Sequence, residues 1–413
     1  MRALVIFGIT FLATSWGMSI PENPEALRTV SKGMNLFARE FYMRSVKDMN
    51  KNFVMSPIGI SMVLSMASFG AGGNTKTQMQ NALNMPTDDT VAKSGIKSMM
   101  DQPKDMKGVE LIMANRIFTN TGVEMKPTFK EVTEKTFDSA AQSLDFTKPE
   151  ATDNINAWAA EKTNNKIQNL MKPDDIKDAS MVLANAVYFK GKWEKPFNAL
   201  MTTPKMFHTD DKITKDVPMM SKMDHLFYGE LPSVNAKFVE LPYEREKGST
   251  GNHVSMFLIV PNEINGLKDI EKNLKTLGMD TIRKHGVMRD VALEMPKFKM
   301  ESTTDLKPVM EEMGMTDMFS DKADFTGIAD SPLLKITKAM QKAMIDVNEE
   351  GSEAAAVTTM IVAPMSLPIP PEQPVTLVID RPFYFAIAML NNELEGGPAR
   401  TMLFSGRVMD PTQ

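Results

Sequence analysis

Residues 349–374 place two conflicting demands on any fold. Ser352 is a good helix N-cap and Ala354-Ala355-Ala356 favour helix. Val357 to Val362 then carries five β-branched residues, which favour strand. Read with period two, Ser352, Ala354, Ala356, Thr358, Met360 and Val362 share one face. That face is small or apolar and uncharged, while Glu353 falls on the other. Such a strand could slide between two others in a sheet and be buried on one side. Pro364, Pro368, Pro370, Pro371 and Pro374 follow, and prolines cannot supply central-strand hydrogen bonds. The expectation is a potential strand attached to an exposed, stiff loop.

The rest of the chain must form an ordinary core around this segment. Of 413 residues, 42% are hydrophobic and 24% charged, as in a soluble globular protein, and no Gly/Ser or charged linker divides them. The net charge of −5 argues against nucleic acid as a partner. Arg2, the apolar run Ala3 to Ala13, and the small residues Ser15 and Gly17 read as a signal peptide over residues 1–17, followed by one domain over 18–413. The run is too short to span a bilayer. With no cysteine, a secreted chain must be held by its core alone. The 38 methionines can serve as adaptable core fillers.

Leu27, Val30, Met34, Phe37 and Phe41 share one helix face. A second helix is predicted over residues 56–69, ending at Gly70-Ala71-Gly72-Gly73, and others over 124–137 and 151–170. Strands are predicted at 110–118, 181–189 and 333–347, with the last leading into the segment above. Hairpins are predicted from 237–243 with 253–260 and from 383–390 with 402–408. Helices early and strands late indicate an α+β fold. His208, His225, His253 and His285 are too far apart in sequence for a local metal pair, and neither a Gly-x-Ser-x-Gly nor a phosphate-loop motif occurs. No cofactor, metal or catalytic activity is expected.

Glu349-Glu350-Gly351-Ser352-Glu353-Ala354-Ala355-Ala356 resembles the proximal hinge of a serpin reactive-centre loop. Residues 377–387 resemble that family's C-terminal signature. Blocks 52–57, 185–193 and 294–298 also match, in the family's order, and the resemblance runs from about residue 25 to about 410. It implies a serpin fold: three β-sheets, eight or nine helices, one domain and an exposed loop at about 349–374.

The resemblance also implies a bait peptide bond. Fourteen positions after Gly351 lies Met365, with Ser366 on the leaving side; Ser366-Leu367 and Leu367-Pro368 are shifted alternatives. Met365, with the small apolar Val362 and Ala363 before it, suits a chymotrypsin- or elastase-like serine protease. Trp193 matches a tryptophan at the top of the central sheet, and Glu349 and Lys297 match a pair bridging two strands there. Ser56 and Asn185 match polar residues under the strands that must part. Gln341 stands where a histidine is common, and Gly59 where a serine is common; a glutamine can still donate and accept.

These residues imply a secreted, extracellular, monomeric inhibitor that forms a covalent complex with its target. The alternative is a non-inhibitory serpin acting as carrier, chaperone or storage protein, but the small hinge residues Ser352 and Ala354 to Ala356 favour inhibition. Glycosaminoglycan binding would need a basic patch. Lys93, Lys97, Lys104 and Lys107 are candidates, but Asp88, Asp89, Asp101 and Asp105 interleave, which indicates a solvated face.

Overall fold

The computed structural model describes residues 23–47, 50–102, 106–245, 252–331, 333–350, 373–392, 394 and 398–413. Its described α-helices are α1 (Pro24–Val46), α2 (Pro57–Ser68), α3 (Gly73–Leu83), α4 (Asp89–Asp101), α5 (Pro127–Phe137), α6 (Glu150–Lys162), α7 (Pro173–Ile176), α8 (Leu267–Lys272), α9 (Met279–Lys284) and α10 (Lys307–Glu312). The five residues that predicted α1 are all buried, and Asn23 caps the helix by accepting from the Ala26 N–H. Every residue of α2 is buried, because the helix lies between the two sheets and packs on β2 (Val109–Asn120), β4 (Met181–Gly191) and β14 (Ala399–Val408).

One sheet has five strands in the order β10 (Phe298–Asp305), β11 (Ile336–Val347), β4, β2 and β3 (Gln142–Leu144). Its central pair, β11 and β4, is parallel; β10·β11 and β2·β4 are antiparallel. The other sheet runs β1 (Phe53–Met55), β14, β13 (Phe383–Asn391), β8 (Asn252–Pro261), β7 (Ala236–Pro242), β6 (Thr214–Leu231), β9 (Gly286–Pro296) and β12 (Val375–Val378), with β5 (Thr203–His208) paired to β6. Two of the three expected sheets are joined here because the long strand β6 pairs β5 at its start and β7 at its end. Both predicted hairpins form, as β7·β8 and β13·β14.

Helix α6 covers the outer face of the five-stranded sheet. Ile155, Trp158 and Ala159 pack with Ala114 and Phe118 of β2, Val182 and Ala184 of β4, and Met340 and Met344 of β11. The helix packs chiefly against β2. It was expected to run to residue 170 but ends at Lys162. Asn164 and Asn165 adopt left-handed backbone (φ 50° and 60°), which stops the helix. The residues after it cross the sheet as a strap leading to α7. Helices α3 and α4 were not read from the sequence; α3 carries no strong apolar stripe, whereas Ala92, Ile96 and Met99 give α4 a buried face. Met62, Met66, Met181 and Met220 are fully buried core fillers. No described helix is long and apolar enough to cross a membrane.

Candidate functional site

Strand β11 delivers the chain to Glu349 and Glu350, the last described residues before the segment that opened the sequence reading. Three aromatic and polar contacts hold this exit. The Trp193 indole Nε1 donates to the Asn348 carbonyl (2.9 Å), and its backbone N–H to the Glu350 carbonyl (3.2 Å). Trp193 is 3% exposed and stacks on Tyr243, with centroids 4.5 Å apart and planes 10° from parallel. The Phe197 N–H donates to the Glu349 carbonyl (2.7 Å), and the buried Lys222 ammonium lies over the Phe197 ring (4.7 Å). Burial pushes the Lys222 pKa down, while Asp224 partly restores the charge.

The Glu349 side chain ties three strands together. Lys297, between β9 and β10, donates to one carboxylate oxygen (2.9 Å), and Thr202, just before β5, donates to the other (2.9 Å). Burial raises the Glu349 pKa, but Lys297, with further help from Thr202, holds it below the usual carboxylate value. The expected Glu349–Lys297 pair and the position of Trp193 at the sheet end are therefore both present.

Farther along the sheet, the seam is closed by side chains as well as by the backbone ladder. Gln341 on β11 pairs in register with Asn185 on β4. The Gln341 amide donates to Asn185 Oδ1 (2.6 Å) and to the Ser56 carbonyl (2.9 Å), and its Oε1 accepts from the Ser56 N–H (2.9 Å). Asn185 donates onward to Asn115 Oδ1 on β2 (2.7 Å), and the Ser56 hydroxyl to the Leu403 carbonyl on β14 (2.8 Å). Gln341, Asn185 and Ser56 are fully buried. A side chain on Gly59 would put its Cβ 2.5 Å from Asn185 Oδ1 and 2.8 Å from Val187 Cγ2. The two departures from the common pattern thus belong together, since Gly59 leaves the space in which Asn185 meets Gln341.

Two lysines that sequence reading missed complete the seam on the outer face. Lys342 of β11 is 7% exposed and donates to the Gln168 carbonyl in the strap (2.8 Å), with Glu301 of β10 also 2.8 Å away. Lys338 bridges Asp175 of α7 (2.9 Å) and Asp305 of β10 (2.8 Å). Burial would lower the Lys338 pKa, but Asp305 and Asp175 raise it above the ordinary value. The available signal was lysine recurring at i and i+4 in a mostly buried strand.

Gly351, Ser352, Ala354, Ala355, Ala356, Met365 and Ser366 lie outside the described residues, as do residues 1–17, Lys104 and Asp105. Among the other basic candidates, Lys97 pairs with Asp101 and Lys93 lies over Phe69. Among the described residues, no group of three His, Cys, Asp or Glu could hold a metal ion. The site's chemistry is mechanical. Two parallel neighbours can take an antiparallel strand between them, and a chain turning back at the end of β11 runs in that direction.

The family model described as "Serpin (serine protease inhibitor)" matches residues 32–411. Antichymotrypsin-2 of Bombyx mori is 32% identical over 85% of this chain and 92% of its own length. The leukocyte elastase inhibitor of Bos taurus is 34% identical over 87% of this chain and 93% of its own. Among solved structures, Serpin48 of the insect Tenebrio molitor superposes with a TM-score of 0.79 at 30% identity, covering 92% of this chain and 98% of that one.

Proposed function

The chain belongs to the serpin family of serine protease inhibitors, and from that premise we propose that it is a secreted monomer trapping a chymotrypsin- or elastase-like protease covalently at Met365-Ser366. The protease serine attacks the Met365 carbonyl, the Met365-Ser366 bond breaks, and the new amine at Ser366 leaves with the proton passed on by the protease. Residues 351–365, freed at one end, enter the β4–β11 seam as a strand of about 50 Å at roughly 3.3 Å per residue. The acylated protease is carried with them, its oxyanion site is distorted, and deacylation stalls. Burial and ladder bonds that the five-stranded sheet lacks drive the change, so the native form is kinetically held.

The observation that carries this reading is the β4–β11 seam. It is parallel, it is closed by breakable side-chain bonds, and the residues after its exit are small and uncharged on one face. The names of the antichymotrypsin and elastase-inhibitor relatives support the choice of target. Residues 1–17 are proposed as a cleaved secretion signal before a single domain. N-terminal sequencing of protein exported from a eukaryotic host tests this, with residue 18 as the expected start.

The test of mechanism is incubation with a panel of serine proteases. An SDS-stable complex with a chymotrypsin- or elastase-like member is expected, together with a released fragment beginning at Ser366. Mild peroxide should abolish inhibition by the parent and spare Met365→Leu, because a sulfoxide is too polar for an apolar primary pocket. Complete cleavage without any complex would instead indicate a non-inhibitory serpin.

A further inference from the structure

The chain contains one Asn-Gly dipeptide, Asn265-Gly266. It closes the turn between β8 and α8, with Asn265 exposed and Gly266 half-buried. Space favours glycine here: a Cβ on Gly266 would lie 2.8 Å from the Pro261 Cβ and 3.2 Å from the Glu263 carbonyl oxygen. A backbone nitrogen with no side chain beside it is also the least hindered nucleophile that a chain can offer to the preceding side-chain amide. One hydrogen bond, to the Glu263 carbonyl (3.0 Å), occupies the Gly266 N–H. That bond belongs to the exposed turn, so a local opening is enough to free it.

The Asn265 amide donates to the Asp211 carboxylate, in the turn between β5 and β6. That turn, residues 209–213, is otherwise closed on itself. The Thr209 N–H donates to the Ile213 carbonyl (3.0 Å), and the Asp210 carboxylate accepts from the N–H groups of Lys212 (2.7 Å) and Ile213 (2.8 Å). Among the described residues, Asn265–Asp211 is the one side-chain hydrogen bond that ties this turn to another part of the chain. The same joint meets the chain just after β12, where the His208 N–H donates to the Asp380 carbonyl (2.7 Å) and Arg381 donates to the Asn262 carbonyl. We propose that Asn265 is a deamidation site whose conversion releases the β5–β6 turn. Hydroxide takes the Gly266 N–H proton, and the nitrogen bonds to the Asn265 Cγ. The Cγ–Nδ2 bond breaks, and ammonia leaves with a proton from water. A water molecule then opens the cyclic imide to aspartate or isoaspartate. The product carries a carboxylate where the amide donor stood. A hydrogen bond to Asp211 is thereby replaced by a like-charge contact, with Asp210 adding to the repulsion. Neither half depends on how the reactive loop engages a protease.

The full chain is aged at body temperature in mildly alkaline buffer, digested, and followed by fragmentation mass spectrometry. A gain of about 1 Da should appear at Asn265 at least fivefold faster than at Asn262, an exposed asparagine in the same turn that is followed by Glu263. Asn265→Asp fixes the product in place. Hydrogen exchange at the Lys212 and Ile213 amides, both held by Asp210, should be at least threefold faster in this variant than in the parent. Adding Asp211→Asn puts the amide on the other side of the same contact, and should return the exchange to within twofold of the parent. No mass gain at Asn265, or a gain no faster than at Asn262, overturns the site. Parental exchange in Asn265→Asp, or fast exchange that Asp211→Asn leaves uncorrected, overturns the release of the turn.

Discussion

The Gln341 amide on β11 meets Asn185 Oδ1 on β4 at 2.6 Å, directly over Gly59 of the helix beneath. No strand can enter the seam without breaking that bond. Gln341→Leu leaves the Asn185 oxygen and the Ser56 N–H buried and unpaired, at about 1–3 kcal/mol for each such group, while the Ser56 carbonyl keeps the Ile60 N–H. Gly59→Ser overpacks against Asn185 and should cost about 1–3 kcal/mol. Combined with Gln341→His, which restores the commoner pairing, the serine should cost less than it does alone, by about 0.5–3 kcal/mol of coupling. Urea unfolding of the four proteins measures this. Additive costs would show that the two positions do not communicate.

The lysine contacts to the strap should oppose opening. Lys342→Met removes a charged donor from the Gln168 carbonyl and should cost about 1–3 kcal/mol. Because the strap must lift before a strand enters, the variant should also insert faster once its loop is nicked by a non-target protease. Lys342→Arg should retain most of both properties. A Met variant with parental stability and parental insertion rate would mean that the contact holds nothing.

Glu349 makes the loop base sensitive to acid. Its folded-state pKa is depressed, so its contribution is fully present above the unfolded value of about 4.3 and is lost as pH falls through the folded value. Its side chain is 12% exposed, but Lys297 is 45% exposed, which limits the contribution to about 1 kcal/mol or less. The melting temperature should therefore fall more steeply below pH 4.5 for the parent than for Glu349→Gln, and the two curves should converge once the pH lies below the folded-state value. Parallel curves throughout would remove the acid sensitivity from this residue.

Ala354→Arg should turn the inhibitor into a substrate. On the proposed inward face, the guanidinium would enter the seam without a partner, at several kcal/mol. Insertion would then lose the race with deacylation, and cleaved protein would accumulate in place of complex on a gel. An unchanged ratio of complex to cleaved product would refute strand insertion through this face.

Much of the scaffold could be read from local pattern. The 3.6-residue repeat of Leu27 to Phe41 marks α1, and the apolar run of residues 181–189 marks a central strand. Both hairpins follow from paired apolar runs around turn residues. Such features depend on neighbours a few positions apart, and burial reinforces what propensity already favours. The α6 boundary was less accessible, because the left-handed Asn164 and Asn165 end a pattern that periodicity alone continues. Helix α3 lacks a strong apolar stripe.

The sequence by itself determined the existence of a small, uncharged strand-like segment directly after β11, and the family resemblance named Trp193, Lys297, Ser56, Asn185, Gln341 and Gly59. Side-chain type and order along the chain suffice for that. Only the tertiary structure decided that β4 and β11 are parallel neighbours and that Gly59 makes room for the Asn185–Gln341 contact. It alone revealed that Lys342 reaches the strap and that Lys338 joins α7 to β10. These are contacts between residues tens to hundreds of positions apart. Their geometry is set by sheet order and register, which no local preference encodes.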